Sequence, residues 1–225
     1  MTTQKRHERK FVPQNYPPPL LEHLIRTHPA EFREIYAERR VNNIYFDTQR
    51  TQLYRDSIEG NSQRLKIRLR WYGDLIGVVH SPQLEFKWKE NHTVWKETFP
   101  LESLSIQPHC NVSTIAQNCR SQLPFGEHRE LLHGIQPTLV NSYLRKYFLS
   151  SNKLFRITID RELLFIPLRS FFPTFLNKYL DRLTPILEIK YSQDDEEQVA
   201  SLTNAFPFRL TRHSKYTRGL DEGYW

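Results

Sequence analysis

In the stretch RLKIRLRWYG (residues 64–73), Arg64, Lys66, Arg68 and Arg70 alternate with Leu65, Ile67, Leu69 and Trp71. That is the period of a β-strand with one apolar face and one cationic face. A row of cations is suited to holding an anion. Arginine offers bidentate forks to phosphate oxygens, and lysine offers a compact point charge. Same-face neighbours stand about 6.8 Å apart, so each adjacent pair repels by roughly 2.4 kcal/mol at an effective dielectric of about 20. Solvation screens much of that repulsion. A bound anion reverses it.

The same arrangement recurs. Glu85, Lys87 and Lys89 oppose Leu84, Phe86 and Trp88; Arg156, Thr158 and Asp160 oppose Phe155, Ile157 and Ile159; Glu188 and Lys190 oppose Leu187, Ile189 and Tyr191. Glu8 and Lys10 share a face near the N-terminus, and Tyr143, Arg145 and Tyr147 share one later. A solvated antiparallel sheet accounts for any one such strand. It does not account for the set, in which Arg and Lys dominate. Closing these strands into a barrel turns the charged faces inward and leaves apolar outer faces for helices to cover. Eleven cations (Lys10, Arg64, Lys66, Arg68, Arg70, Lys87, Lys89, Lys96, Arg145, Arg156 and Lys190) then face four acids (Glu8, Glu85, Asp160 and Glu188). A dense polyanion balances such an excess. The expected fold is therefore α+β: an antiparallel β-barrel tunnel with a charged interior and helices packed outside, in one domain over residues 1–225.

The elements that must position these residues read as follows. Strands are expected at 7–12, 41–48, 64–71, 84–89, 93–99, 142–148, 154–160 and 186–191, with 84–89 and 93–99 joined as a hairpin by the ENH turn. Helices are expected after the prolines at 17–19 (Leu20, Leu21, Leu24, Ile25), over 30–40 (Phe32, Ile35, Tyr36), and over 195–206 behind the acidic run DDEE. Residues 102–135 read as helix and loop. Phe32 and Tyr36 read as core.

Composition narrows the function classes. The chain has 225 residues, a net charge of +7 and a pI near 9.4, which suits an anionic partner. Cys110 and Cys119 have neither metal spacing nor a disulfide framework. MTTQKRHERKF lacks an apolar signal core, and no run reaches the roughly 18 apolar residues of a membrane helix. A cytoplasmic protein without membrane insertion is the expectation. The seven glycines form neither GxGxxG nor GxxxxGK[ST], so a nucleotide would be held by side chains. The histidines, among them His7, His109, His128 and His133, show no ligand spacing and read as surface or loop residues.

ERK near the N-terminus, IYFDT, KIRLRW, LEFK, SYLRKYF, RITID, LEIKY and the late SKY together resemble the polyphosphate polymerase domain of the vacuolar transporter chaperone (VTC) family, in the triphosphate tunnel metalloenzyme superfamily. The resemblance runs from about residue 8 to about residue 219. It implies a tunnel that binds ATP, triphosphate and polyphosphate with Mn²⁺ or Mg²⁺. It implies phosphate-binding roles for Lys10, Arg68, Arg70, Lys87, Lys96, Arg145, Arg156, Lys190, Arg212 and Lys215. Of these, Arg68, Arg70, Lys87, Arg145, Arg156 and Lys215 would act directly in transfer. Glu188 matches the metal-binding glutamate, with Glu8 as a second ligand, and Asp160 reads as an ion-pair partner that orients Arg156 or Arg145. Where the hydrolase branch carries Glu-x-Glu-x-Lys, this chain has Arg6, Glu8 and Lys10. The missing first glutamate favours the polymerase type.

Phosphoryl transfer needs positioning and charge neutralisation more than covalent chemistry, which such a cradle supplies. A triphosphatase of the same fold is the rival enzyme reading. A polyanion- or RNA-binding module is the non-enzymatic one. Trp71, Phe86 and Trp88 fall on the apolar face, opposite the cations, which argues against base stacking and against a nucleic-acid partner.

Overall fold

The computed structural model describes residues 6–91, 93–107, 112–168 and 178–222. The first elements are β1 (Arg6–Phe11), α1 (Pro18–Arg26), β2 (Arg33–Thr48), α2 (Gln52–Glu59) and β3 (Gln63–Tyr72). Then come β4 (Gly77–Val79), β5 (Gln83–Glu90), β6 (Thr93–Pro100), β7 (Leu104–Ile106), α3 (Val112–Ser121) and α4 (Glu127–Leu131). The chain ends with β8 (Ile135–Leu149), β9 (Arg156–Pro167), β10 (Tyr179–Asp181), β11 (Ile186–Ser192), α5 (Glu196–Asn204) and α6 (Lys215–Asp221). It forms two compact units: Met1–Arg39 with Tyr143–Leu163 and Leu180–His213, and Arg40–Ser142 with Leu164–Tyr179 and Ser214–Trp225. Strands β2, β8, β9 and β10 contribute residues to both.

In the first unit the strand order is β1, β11, β9, β8, and β11 runs antiparallel to both β1 and β9. One face of these strands is apolar. Phe11, Ile157, Ile159, Leu187 and Ile189 pack with Leu21 and Ile25 of α1 and with Val199 and Leu202 of α5. Helix α1 starts at Pro18, whose fixed φ suits the first helical position. Leu21 and Ile25, four apart, form its buried face. Helix α5 carries Glu196 and Glu197 in its first turn, where acids complement the helix dipole.

In the second unit the order is β8, β2, β3, β5, β6, and the β2–β3, β3–β5 and β5–β6 pairs are antiparallel. Strand β3 alternates as expected: Leu65, Ile67, Leu69 and Trp71 are buried, and Arg64, Lys66, Arg68 and Arg70 are partly exposed. Its apolar face packs with Leu84 and Phe86 of β5 and with Ile115, Ala116 and Cys119 of α3. Each such buried Leu, Ile or Phe side chain stabilises the fold by roughly 1.5–3 kcal/mol. Helix α6 is capped by Ser214, whose side chain accepts from the Thr217 N–H. Gly219 lets α6 pack closely, since a Cβ there would lie 2.5 Å from Leu139 and 2.6 Å from Phe165. The Tyr216 hydroxyl donates to buried Asp47, which also accepts the Leu53 and Tyr54 N–H groups of α2.

The helix expected over 30–40 is instead the start of the 16-residue β2. Glu31 has φ +49, which a right-handed helix through this stretch does not tolerate. Tyr36, expected in the core, is 52% exposed; it meets Tyr147 edge-on at 5.7 Å and lies 4.8 Å beneath the Arg39 guanidinium. Sheet pairing and aromatic contacts override local spacing here. Phe32 is core as expected. Cys119 is a buried free thiol, pushed up to about 12 by burial. His109 and Cys110 lie outside the described residues. Among the described residues no helix is long and apolar enough to cross a membrane.

Candidate active site: two carboxylate-centred cation clusters

In the first unit the β1–β11 register sets Lys10 opposite Glu188 and Glu8 opposite Lys190. The β11–β9 register sets Glu188 opposite Thr158 and Lys190 opposite Arg156. Glu188 is buried and collects three cations: Arg145 Nη2 at 3.5 Å, Lys10 Nζ at 3.7 Å and Lys190 Nζ at 3.7 Å. The Lys10 ammonium also lies 3.1 Å from Glu8, so two carboxylates converge on one positive group. Arg145 is gripped by fully buried Asp160, with Nε–Oδ1 at 2.5 Å and Nη2–Oδ2 at 2.7 Å. Burial alone would lower the Arg145 pKa; the Asp160 and Glu188 carboxylates instead raise it well above the usual arginine value. The segment carrying Arg212 is pinned to β1, because the Thr211 N–H donates to the Lys10 carbonyl at 2.8 Å and the Lys10 ammonium donates to the His213 carbonyl at 3.3 Å. Arg156 and Arg212 are exposed.

In the second unit the register builds rows across β3, β5 and β6. Arg68 stands opposite Glu85, which stands opposite Thr98. The next row is Lys66, Lys87 and Lys96; the one after is Arg64, Lys89 and Val94. Glu85 is 2% exposed. It accepts from Arg68 Nε at 2.6 Å and Lys96 Nζ at 2.7 Å, with Arg70 Nη1 at 3.8 Å. Burial alone would raise the Glu85 pKa; the Arg68 and Arg70 guanidiniums and the Lys96 ammonium override it and hold the carboxyl well below the usual range. Arg70 Nε also donates to Asn43 at 2.8 Å, and Asn43 is fully buried on β2. Lys66 Nζ donates to the Ser214 hydroxyl at 2.9 Å, next to buried Lys215 at the start of α6.

The expected site residues thus fall into two groups. Glu8, Lys10, Arg145, Arg156, Glu188, Lys190 and Arg212 belong to the first unit; Arg68, Arg70, Lys87, Lys96 and Lys215 belong to the second. Asp160 does orient Arg145. Sequence reasoning placed Glu85 among the four inward acids without naming its partners, and singled out neither Asn43 nor Ser214. Glu85 is the one acid in the row alternation of β3 and β5, but its three partners emerge only from strand register. Asn43 and Ser214 carry no pattern that distinguishes them.

The first cluster fits a hard divalent cation. Such ions take oxygen ligands and need only one or two protein carboxylates when phosphates complete the shell. Glu8 and Glu188 already share one cation. The Thr158 hydroxyl, opposite Glu188, is buried and has no hydrogen-bond partner among the described residues. Among the described residues no three His, Cys, Asp or Glu side chains gather as a self-sufficient metal cage.

The VTC domain family model matches residues 5–222. No curated protein matches the chain. Among solved structures, a candidate adenylate cyclase from Bacillus halodurans is 13% identical with a TM-score of 0.57, covering 95% of this chain and 96% of its own. One from Vibrio parahaemolyticus is 14% identical with a TM-score of 0.55, covering 98% and 99%. A candidate adenylyl cyclase from Hippeastrum, described as having a dominant triphosphatase activity, is 12% identical with a TM-score of 0.55, covering 97% and 96%. At these identities the likeness carries the fold, which is the α+β triphosphate-tunnel type.

Proposed function

This chain belongs to the VTC domain family, and from that premise we propose that it is a metal-dependent polyphosphate polymerase built as a single domain over residues 1–225. The observation that carries the reading is the register of three lysines, Lys66, Lys87 and Lys96, in one row. Like charges directly opposite one another destabilise a sheet. Phosphate oxygens would turn that repulsion into attraction.

In the reaction, a terminal oxygen of the polyphosphate chain attacks the γ-phosphorus of ATP. The bond from γ-phosphorus to the β–γ bridging oxygen breaks, and ADP leaves with that oxygen. Charge on the transferring group is met by arginine forks and lysine ammoniums. Within the first unit Arg145 and Arg156 are the proposed transfer residues, with Lys10, Lys190 and Arg212 as phosphate ligands; within the second unit Arg68, Arg70, Lys87 and Lys215 are the proposed transfer residues, with Lys96 as a phosphate ligand. Asp160 fixes the Arg145 fork, and Asn43 and Glu85 fix Arg70 and Arg68. Glu188 and Glu8 would hold Mn²⁺ or Mg²⁺, which supplies charge neutralisation at phosphate oxygens. The partners are ATP, triphosphate and polyphosphate, and the setting is cytoplasmic.

The Hippeastrum neighbour's described activity favours one second reading, a triphosphatase in which water replaces the chain as acceptor. The test is to incubate the protein with ATP and Mn²⁺ and resolve the products by size, with Glu188→Ala as control. Long phosphate chains that disappear in the variant support the polymerase. Orthophosphate alone overturns it in favour of the triphosphatase.

A further inference from the structure

Within the first unit, Tyr36 is an aromatic side chain on a face built for charge. In β8, Tyr143, Arg145 and Tyr147 share one face: the Arg145 guanidinium lies 5.1 Å from the Tyr143 ring centroid and 6.0 Å from that of Tyr147. The alternate residues serve the other face, where Lys146 pairs with Glu22 of α1 at 2.7 Å and Phe148 belongs to the core cluster with Leu21 and Ile25. Tyr36 of β2 meets Tyr147 edge-on at 5.7 Å, so it extends the Arg145 face. The Arg39 guanidinium lies over both rings, 4.8 Å from the Tyr36 centroid and 4.9 Å from the Tyr147 centroid, which holds them in place by cation–π attraction. Burial rises along the series. Tyr36 is 52% exposed, Tyr147 is half-buried, and Arg145 and Glu188, 3.5 Å apart, are each 6% exposed. One end is therefore an open aromatic surface and the other is the buried cation–carboxylate cluster. An inorganic phosphate chain has no group that would use the aromatic end. A nucleoside triphosphate carries a flat base at one end and its negative charge at the other.

We propose that Tyr36, backed by Arg39 and Tyr147, is a stacking platform for the base of a nucleoside triphosphate whose phosphates lie at Arg145. The platform rests on the reading of Arg145 and Glu188 as phosphate and metal groups, and it adds a contact with the nucleoside. Arg39 covers one side of the Tyr36 ring, and the base stacks on the exposed side. Stacking uses the face of a base and not its hydrogen-bonding edges, so the platform selects nucleotides over inorganic phosphates without selecting among bases. Its position separates it from Trp71, Phe86 and Trp88, which pack on the apolar core of the second unit.

The test is calorimetric binding of β,γ-imido ATP and of tripolyphosphate, each as its Mg²⁺ complex, to the full chain. Wild type, Tyr36→Leu and Tyr36→Phe are compared. Leucine keeps apolar bulk but has no aromatic face; phenylalanine keeps the face and loses only the hydroxyl. In Tyr36→Leu, affinity for the ATP analogue is expected to fall about five-fold or more, while tripolyphosphate affinity stays within about two-fold. Unchanged tripolyphosphate binding also shows that the variant is folded. Tyr36→Phe should bind both ligands as the wild type does. Equal losses for both ligands, no loss for either, or a loss in Tyr36→Phe as large as in Tyr36→Leu overturns the stacking platform and leaves the phosphate-binding reading standing. A wild type that binds neither ligand overturns that reading and the platform with it.

Discussion

The two cation clusters solve the problem of concentrated charge differently. Among the described side chains on the polar faces of β1, β8, β9 and β11, four cations (Lys10, Arg145, Arg156 and Lys190) face three carboxylates (Glu8, Asp160 and Glu188). On β3, β5 and β6, seven cations face one. The first cluster is close to balanced, and its carboxylates are the groups a divalent ion can use. The second cluster has more cations than carboxylates in its rows, an excess that a bound anion would relieve. Charge that is compensated within the protein reads as architecture or as a metal site. Charge gathered in rows of one sign reads as a binding surface.

The largest expected effect would break the compensated side. Asp160 is fully buried and holds a buried Arg145. Asp160→Asn leaves that guanidinium without its main counter-charge, which costs about 3–5 kcal/mol when one partner of a buried pair is removed. Chemical denaturation would measure this. A loss under about 1 kcal/mol would mean that Glu188 alone balances Arg145. In the lysine row, removing a charge should do the reverse. Lys87→Met keeps the aliphatic stem and relieves the row with Lys66 and Lys96, so stability should rise by roughly 0.2–1 kcal/mol. Turnover should fall roughly 10²–10³-fold if Lys87 meets the transferring phosphoryl group. A variant that is both less stable and fully active would erase the contrast between the two clusters.

Glu85 gives the third effect, because it is the one acid among the seven cations. Its folded-state pKa is depressed below the ordinary 4.5. Its contribution is therefore present above about pH 4.5 and is lost as pH falls below that value toward the depressed one. Glu85→Gln should cost about 1–3 kcal/mol near neutral pH, as expected when a buried charge-assisted hydrogen-bond partner is removed. The deficit should shrink as the wild type is acidified. A deficit independent of pH between 7 and 3 would mean that packing, and not charge, explains it.

Much of this division was legible in the chain. The alternation in KIRLRW and LEFKWK predicted both faces of β3 and β5, because period-2 patterning survives any register. Glu188 and Asp160 were identified beside cations for the same reason. The Glu85 hub, the lysine row and the Arg64–Lys89 pair depend on which residue stands opposite which, and one chain's periodicity does not encode that. The β2 error has the same origin. Phe32, Ile35 and Tyr36 satisfy a helical spacing, but Tyr36 turns outward toward Tyr147 once Glu31 adopts positive φ. The cap at Ser214 and the close packing at Gly219 each rest on a single residue, too little for a pattern.

The smallest effect sharpens the comparison by supplying an exposed reference. Glu196 is half exposed and takes hydrogen bonds from Arg9 at 2.8 Å and the Tyr191 hydroxyl at 2.8 Å, with His7 Nδ1 at 3.2 Å. The Arg9 hydrogen bond, then the Tyr191 one, lowers its pKa to about 2. The sign matches that of Glu85: the contribution is present above about pH 4.5 and is lost as pH falls toward 2. The magnitude does not match, because water screens an exposed network and its worth is about 0–1 kcal/mol. Glu196→Gln should therefore lose less than about 1 kcal/mol at low salt, and 1 M salt, with a Debye length near 3 Å, should remove most of that difference. The Glu85→Gln deficit should survive the same salt, because that carboxylate is buried. If both deficits vanish together in salt, solvent reaches Glu85 as freely as Glu196, and the lysine row would be a screened surface instead of a preorganised anion site.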